Sequence, residues 1–460
     1  MISIPIDITT RQGYDQFLRC KALPRYEVRG RTVITDEASY AYVFGGEVIK
    51  SLKSTQPGLF DYQEHITNLA LSRRRYAAFA SPGLGKTRID LAFAKELSQE
   101  GKVLIQCPRM VMREFEADAA AMNIPISNLR IGPWTEKIGL MNYEARRQFD
   151  MRGVIGHVTD ESGILKSGDG ETCDYLQAQA AVVPYRLATS ATPSPNDQSE
   201  YASHAVYLGY AATLKEFYSR YFVKDGNDWV LKGHADGAFY DHLASWAIYL
   251  QSPSKLGFQR GGELDHEPEY IEVRTQDPEF IAAGSLFASQ ISLSDSRRIF
   301  TDLRANPKTN RAQAAIETAK GFKGQKIIWC LRNQEEEMFH KALPGSALLT
   351  GATKEQKRFE IIDAFRRGEI STIISKPKVL GFGVNLPQAD AHIYSGYDWS
   401  FESFYQAVRR SHRYGRKGRL KVFIPLSNAE EPIWETLKDK LKTFDKDCQE
   451  LQARFFKAAV

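Results

Sequence analysis

Short apolar runs punctuated by polar and glycine-bearing turns recur through the first half of the chain. They include Tyr76-Ala-Ala-Phe79, Lys102-Val-Leu-Ile-Gln106, Val154-Ile-Gly-His-Val158 and Tyr185-Arg-Leu-Ala-Thr189. Each reads as a strand, and the stretches between them carry helical patterns. A strand covered on both faces reads as a near-continuous apolar run, and its alternation with helices predicts a parallel, helix-covered sheet. The same alternation returns later with Lys326-Ile-Ile-Trp-Cys330, Ile370-Ser-Thr-Ile-Ile374 and Leu420-Lys-Val-Phe-Ile424. Between the two series, Leu214–Phe222 and Phe239–Tyr249 carry aromatics at helical spacing, which predicts packed helices rather than a base-stacking surface. Ahead of the first series, Arg31-Thr-Val-Ile-Thr35 reads as a short strand among turns.

These patterns divide the chain into a small N-terminal module (1–55), a first α/β lobe (56–200), a mainly helical insertion (201–310) and a second α/β lobe (311–460). No fixed-period repeat interrupts the division. At 460 residues the chain is too long for one hydrophobic core, in keeping with two large lobes. No apolar run is long enough to cross a bilayer, and the first residues lack a basic start and a cleavage site. A cytoplasmic protein is therefore expected. Five cysteines, odd in number and scattered, argue against a zinc site or a disulfide framework. Net charge is only +5, so local basic groups count for more than the total, and Arg73-Arg-Arg75, Lys166, Lys376-Pro-Lys378 and the arginines beyond Arg413 are candidate nucleic-acid phosphate contacts.

The first candidate chemistry follows the strand at Tyr76. Ala80-Ser-Pro-Gly-Leu-Gly-Lys86-Thr87 leads into a helical pattern, so strand, glycine-rich loop and helix come in the order of a phosphate-binding loop, with Ala80 where its first glycine usually stands. Gly83 and Gly85 would let backbone N–H groups approach phosphates, with the positive end of the helix aimed at them. Lys86 would hold the outer phosphates of ATP and Thr87 would hold Mg²⁺. Downstream, Asp160-Glu161 closes another strand: Asp160 would position the metal and Glu161 would polarise the attacking water. An Asp-Glu pair alone is also a common surface feature. Its place after a phosphate loop in one lobe is what turns the reading toward ATP hydrolysis.

With these residues in view the chain resembles the superfamily-2 helicases and, among them, the Swi/Snf-like translocases, especially the short forms common in bacteriophages. The resemblance implies two RecA-like lobes. It implies that Gln63 recognises adenine and that Ser190, Ala191 and Thr192 link the ATP and nucleic-acid sites. Segments Cys107–Phe115 and Met141–Glu144 resemble backbone-contacting segments. In the second lobe Leu380-Gly-Phe-Gly-Val-Asn-Leu386 and Gln406-Ala-Val-Arg-Arg410-Ser-His-Arg413 resemble late helicase motifs, placing Gly383 and Gln406 at the nucleotide and making Arg413 and Arg410 arginine fingers. Gln406, Arg410 and Arg413 fall at i, i+4 and i+7, which predicts one face of a single helix.

The expected function is an Mg²⁺-ATP-driven motor translocating on double-stranded DNA. A strand-separating DNA or RNA helicase and an ATP-dependent switch or scaffold remain as alternatives.

Overall fold

The computed structural model describes residues 2–7, 10–21, 23, 26–35, 52–145, 151, 153–166, 170–226, 228–258, 264, 266–275, 310–380, 384–396, 400–413, 415–427 and 431–459. They form two compact units: Met1–Ser81, Gly85–Gln259 and Cys448–Val460 make the first, and Pro82–Leu84 with Arg260–Asp447 the second.

In the first unit, strands β1 (Ile2–Pro5), β2 (Tyr26–Arg29) and β3 (Thr32–Thr35) build a small antiparallel sheet in the order β1-β3-β2. Its core is Ile4, Ile6, Cys20, Leu23 and Val33. The main sheet is seven-stranded and comprises β4 (Arg75–Ala80), β5 (Lys102–Cys107), β6 (Ile126–Asn128), β7 (Ile138–Asn142), β8 (Val154–Asp160), β9 (Tyr185–Ser190) and β12 (Ala247–Leu250), in the order β12-β4-β9-β8-β5-β7-β6. All of its pairings are parallel. Ala77, Ala78, Phe79 and Ala80 of β4 are fully buried, the sequence signature of a strand covered on both faces.

Residues 201–258 contribute helices Tyr201–Leu208, Leu214–Tyr221 and Asp236–Trp246, a hairpin of β10 (Phe222–Asp225) and β11 (Asp228–Leu231), and β12. The aromatic stripe packs inward as its spacing predicts. Phe217, Tyr221, Phe239 and Trp246 are all buried, with Phe239 edge-on to Phe217 at 6.2 Å and to Tyr221 at 5.7 Å.

The second unit is also an α/β layer structure. Strands β13 (Glu269–Thr275), β14 (Lys326–Trp329), β15 (Ala347–Leu349), β16 (Thr372–Ser375), β17 (Ala391–Tyr394) and β18 (Lys421–Ser427) form a six-stranded sheet in the order β13-β18-β17-β14-β16-β15. Every pairing is again parallel. Ile328, Cys330, Ile374 and Ile393 meet Phe339 and the helix Asn310–Gly321 in one core cluster. Two parallel-sheet α/β units with a small N-terminal sheet are thus the architecture expected from the sequence. Among the described residues no helix is long and apolar enough to cross a membrane.

Candidate nucleotide-hydrolysis site

Parallel strands bring all their carboxyl ends to one edge of the sheet, where loops can converge on a ligand. In the first unit that edge collects Ser81 after β4, Cys107 at the end of β5, Asn142 at the end of β7, Asp160 at the end of β8 and Ser190 at the end of β9. The phosphate loop is stitched to the sheet by a hydrogen bond from Ser81 N–H to Leu250 O of β12, at 2.9 Å. Gly83 and Gly85 have φ of 93° and 73°, the left-handed region that an L side chain enters only with strain. Gly85 caps the helix Lys86–Leu97, and Lys86 Nζ is 3.3 Å from Ala80 O.

Gln63 sits against this loop. A Cβ on Gly85 would stand 2.3 Å from Gln63 Nε2. The glutamine is buried in the helix Asp61–Arg73, where its Oε1 accepts from Phe60 N–H at 3.0 Å and so caps the helix start.

A residue that the sequence reading passed over completes the cluster. Asp90, one helical turn beyond Lys86, is fully buried, and Thr189 Oγ1 lies 3.0 Å from Asp90 Oδ2 and 3.1 Å from Asp160 Oδ1. One hydroxyl proton can serve only one of these carboxylates at a time. Burial and the neighbouring Asp160 charge push the Asp90 carboxyl up. Burial first, and then the Glu161 charge, does the same to Asp160, while Lys86 and the Thr189 hydroxyl pull it back. The i, i+4 spacing of Lys86 and Asp90 on one helix was the available signal for Asp90.

Asp160 is held from the backbone side, because the Tyr143 hydroxyl donates to its carbonyl. Glu161 takes φ of 51°, one of only three non-glycine residues with positive φ among those described. Next to it, Ser162 Oγ is 3.0 Å from Nε2 of His204, whose imidazole burial lowers to about 4. His157 is a packing residue: its Nε2 meets Gln106 Oε1 at 2.7 Å and its Nδ1 meets Tyr207 OH at 3.1 Å. Ser190, Ala191 and Thr192 form a buried turn in which Ser190 Oγ accepts from Thr192 N–H at 3.1 Å and Tyr249 OH donates to Ala191 O at 3.0 Å.

The donor set fits Mg²⁺-ATP. Ser81 Oγ in the loop and Asp90 Oδ1 beside it are buried polar atoms with no hydrogen-bond partner, and two adjacent buried carboxylates call for a cation. Among the described residues no group of three or more His, Cys, Asp or Glu is arranged to hold a metal, so any Mg²⁺ here would rest on fewer carboxylates together with the hydroxyl of Thr87 and the nucleotide.

In the second unit one expectation is corrected. The helix Phe401–Val408 contains Gln406 but stops before Arg410 and Arg413, so the three do not share one helical face. The regular ladder becomes mixed at its end: Arg410 N–H donates to Ala407 O at 3.2 Å and Ser411 N–H to Val408 O at 3.3 Å, both three-residue turns, while His412 N–H still reaches Val408 O at 3.2 Å. Outside the helix, Arg410 O accepts from Leu386 N–H at 2.9 Å, and Arg413 Nε donates to Arg409 O at 2.9 Å. Arg410 and Gln406 are buried, and Arg413 is half-buried. Arg416 is a structural clamp whose guanidinium donates to the carbonyls of Ala389, Gly418 and Arg419, the last two at 2.9 and 3.1 Å. Gly383 lies outside the described residues.

Taken together, the glycine-rich loop and its buried carboxylates, at the carboxyl edge of a parallel sheet, form a candidate nucleotide site. Residues 308–415 match the helicase conserved C-terminal domain family. A 110-residue stretch is 32% identical to the chromatin remodeling factor mit1 of Schizosaccharomyces pombe, covering 23% of this chain and 8% of that protein. Another of 98 residues is 37% identical to the mouse SWI/SNF-related matrix-associated actin-dependent regulator of chromatin subfamily A member 1, covering 20% of this chain and 9% of that protein. Each match thus spans less than a tenth of the relative's length. A solved structure described as the Sulfolobus solfataricus SWI2/SNF2 ATPase core in complex with dsDNA aligns with TM-score 0.40 at 17% identity, over 83% of this chain and 90% of that one. In these stretches the chain is similar to superfamily-2 helicase ATPases of the Swi/Snf-like type.

Proposed function

We propose that the protein hydrolyses Mg²⁺-ATP and uses the cycle to move along double-stranded DNA. The observation that carries the hydrolytic half is the convergence of Lys86, Gln63 against Gly85, and the Thr189-bridged pair Asp90 and Asp160 at one sheet edge. Gly83 and Gly85 leave the loop amides open to phosphate oxygens, and Lys86 neutralises the outer phosphates. Thr87 and Asp160 would hold Mg²⁺, which when bound supplies charge neutralisation at the phosphates. Glu161 orients the attacking water and accepts its proton on a carboxylate oxygen. Arg410 and Arg413 are proposed to neutralise the phosphoryl group in flight, the task a planar, permanently charged fork performs. Gly383 and Gln406 are proposed to bind nucleotide, and Ser190, Ala191 and Thr192 to couple hydrolysis to the track.

Duplex DNA as the track follows from the kinship with Swi/Snf-type ATPases. The cytoplasm of a bacterial or phage-infected cell is the setting proposed, on the sequence resemblance.

The test is steady-state ATP hydrolysis by wild type and Glu161→Gln, without nucleic acid and with single-stranded DNA, duplex DNA or RNA, at two salt concentrations. Strong stimulation by duplex, abolished in Glu161→Gln and weakened by salt, is expected. Stimulation confined to single strands or RNA would move the reading to a strand-separating helicase. Turnover indifferent to every polymer would leave an ATP-driven switch.

A further inference from the structure

Strands β4 and β9 are neighbours in parallel register, and Arg75 and Arg186 are direct partners at their amino-terminal ends. Like charges placed opposite one another destabilise a sheet, and here one of the pair is buried and the other, Arg75, half-buried. Arg186 is only 5% exposed. A Cβ on Gly209 would lie 2.4 Å from Arg75 Nη1 and 3.5 Å from Arg186 Nη1, so both forks converge on that glycine.

The forks open into a cavity of about 620 Å³ at the sheet edge opposite the phosphate loop. Lys21 and Arg220 also line it. Among the described residues Glu216 is the single carboxylate in the lining. It is already engaged, accepting from Ala212 N–H at 2.9 Å and pairing with Arg220 at 3.5 Å. Arg186 donates only to the neutral carbonyls of Val183, at 3.1 Å, and Tyr207, at 2.7 Å. Burial weighs against the charge on both side chains. Burial and then the Arg186 charge lower Arg75 to about 9, and burial lowers Arg186 to about 10. The cavity falls in the size range of small-molecule sites, and Arg forks are suited to phosphate oxygens.

We infer that this pocket, built on the cross-strand pair Arg75 and Arg186, is a second anion site that takes a small phosphate-bearing molecule. It is separate from the nucleotide site. The arginines head the same two strands whose far ends carry the phosphate loop and Ser190, so an anion bound here braces the base of the strands that position the hydrolytic groups. A six-residue strand spans roughly 16–20 Å, which keeps the two sites apart.

The experiment is calorimetric titration of inorganic pyrophosphate into the full chain carrying Lys86→Ala, which disables the phosphate loop. Arg75→Gln, Arg75→Lys and Lys21→Gln are each added to that background. One saturable site is expected, at least tenfold weaker with Arg75→Gln, a few-fold weaker with Lys21→Gln at the rim, and largely kept with Arg75→Lys. Thermal melts verify that each variant is folded, and Lys21→Gln decides the matter if Arg75→Gln is not. Absence of saturable binding, or binding equally tight in Arg75→Gln and Lys21→Gln, would overturn the inference. Displacement of pyrophosphate by a short DNA duplex would also overturn it, because the pocket would then serve the nucleic-acid backbone.

Discussion

The amide of Gln63 rests on Gly85, so closely that a Cβ there would come within 2.3 Å of Nε2. The glycine therefore does two jobs: it takes φ of 73° at the head of the helix Lys86–Leu97 and it leaves room for the glutamine. Gly85→Ala introduces left-handed strain of about 1–2 kcal/mol and displaces Gln63. Its kcat/KM for ATP is expected to fall at least tenfold while the melting temperature drops by only a few degrees. Unchanged ATP kinetics would show that the loop tolerates a side chain and that Gln63 does not need its present place.

Thr189 offers a sharper test of the buried carboxylates. Thr189→Val keeps the shape and removes the hydroxyl that both Asp90 and Asp160 face. A buried acceptor left without its donor costs about 1–3 kcal/mol. Urea unfolding should register a loss of that order, with a large fall in ATP turnover, and Thr189→Ser should restore both. A Val variant as stable and active as wild type would remove the bridge from the account.

His392 makes a prediction about acid. Burial, and secondarily the Arg416 charge, lowers its folded-state pKa to about 3 from 6.5. Between those values the unfolded chain binds the extra proton, so stability is full above the unfolded value and is lost as pH falls below it. At pH 5 the linkage is worth about 2 kcal/mol. Other groups titrate in the same interval, so the measurement is a difference. The stability change from pH 7 to pH 5 should be about 2 kcal/mol smaller in His392→Gln than in wild type. Equal changes would mean that the imidazole titrates freely in the folded unit.

Arg416 separates scaffold from track. Its contacts with the carbonyls of Ala389, Gly418 and Arg419 predict that Arg416→Ala destabilises the second unit by about 2–3 kcal/mol and leaves the salt slope of DNA binding unchanged. A reduced slope with undiminished stability would assign the guanidinium to a phosphate.

Much of the fold was legible because doubly covered parallel strands write themselves as apolar runs. Tyr76–Phe79, Lys102–Gln106, Val154–Val158 and Tyr185–Thr189 all fall within strands of the first sheet. β12 was harder to see, since Ala247–Leu250 continues the aromatic helical pattern of Asp236–Trp246 and only pairing with β4 makes it a strand. The phosphate loop announced itself through its glycines and lysine. Asp90 and Thr189 did not, because a polar residue in a helix and another in a strand acquire meaning only when the sheet brings them within hydrogen-bond distance. Arg410 and Arg413 were misplaced on one helix because periodicity continues past Val408, while the tertiary bond from Leu386 to Arg410 O lies outside any local pattern.

Glu161, proposed to direct the attacking water, sits in a backbone conformation that glycine would adopt more comfortably. Selection for thermal robustness alone would favour Glu161→Gly, which relieves strain of about 1 kcal/mol and deletes the carboxylate in one step. If the carboxylate has the role proposed for it, a hardier, inert protein lies one substitution away, and the carboxylate persists only so long as turnover is what is being selected.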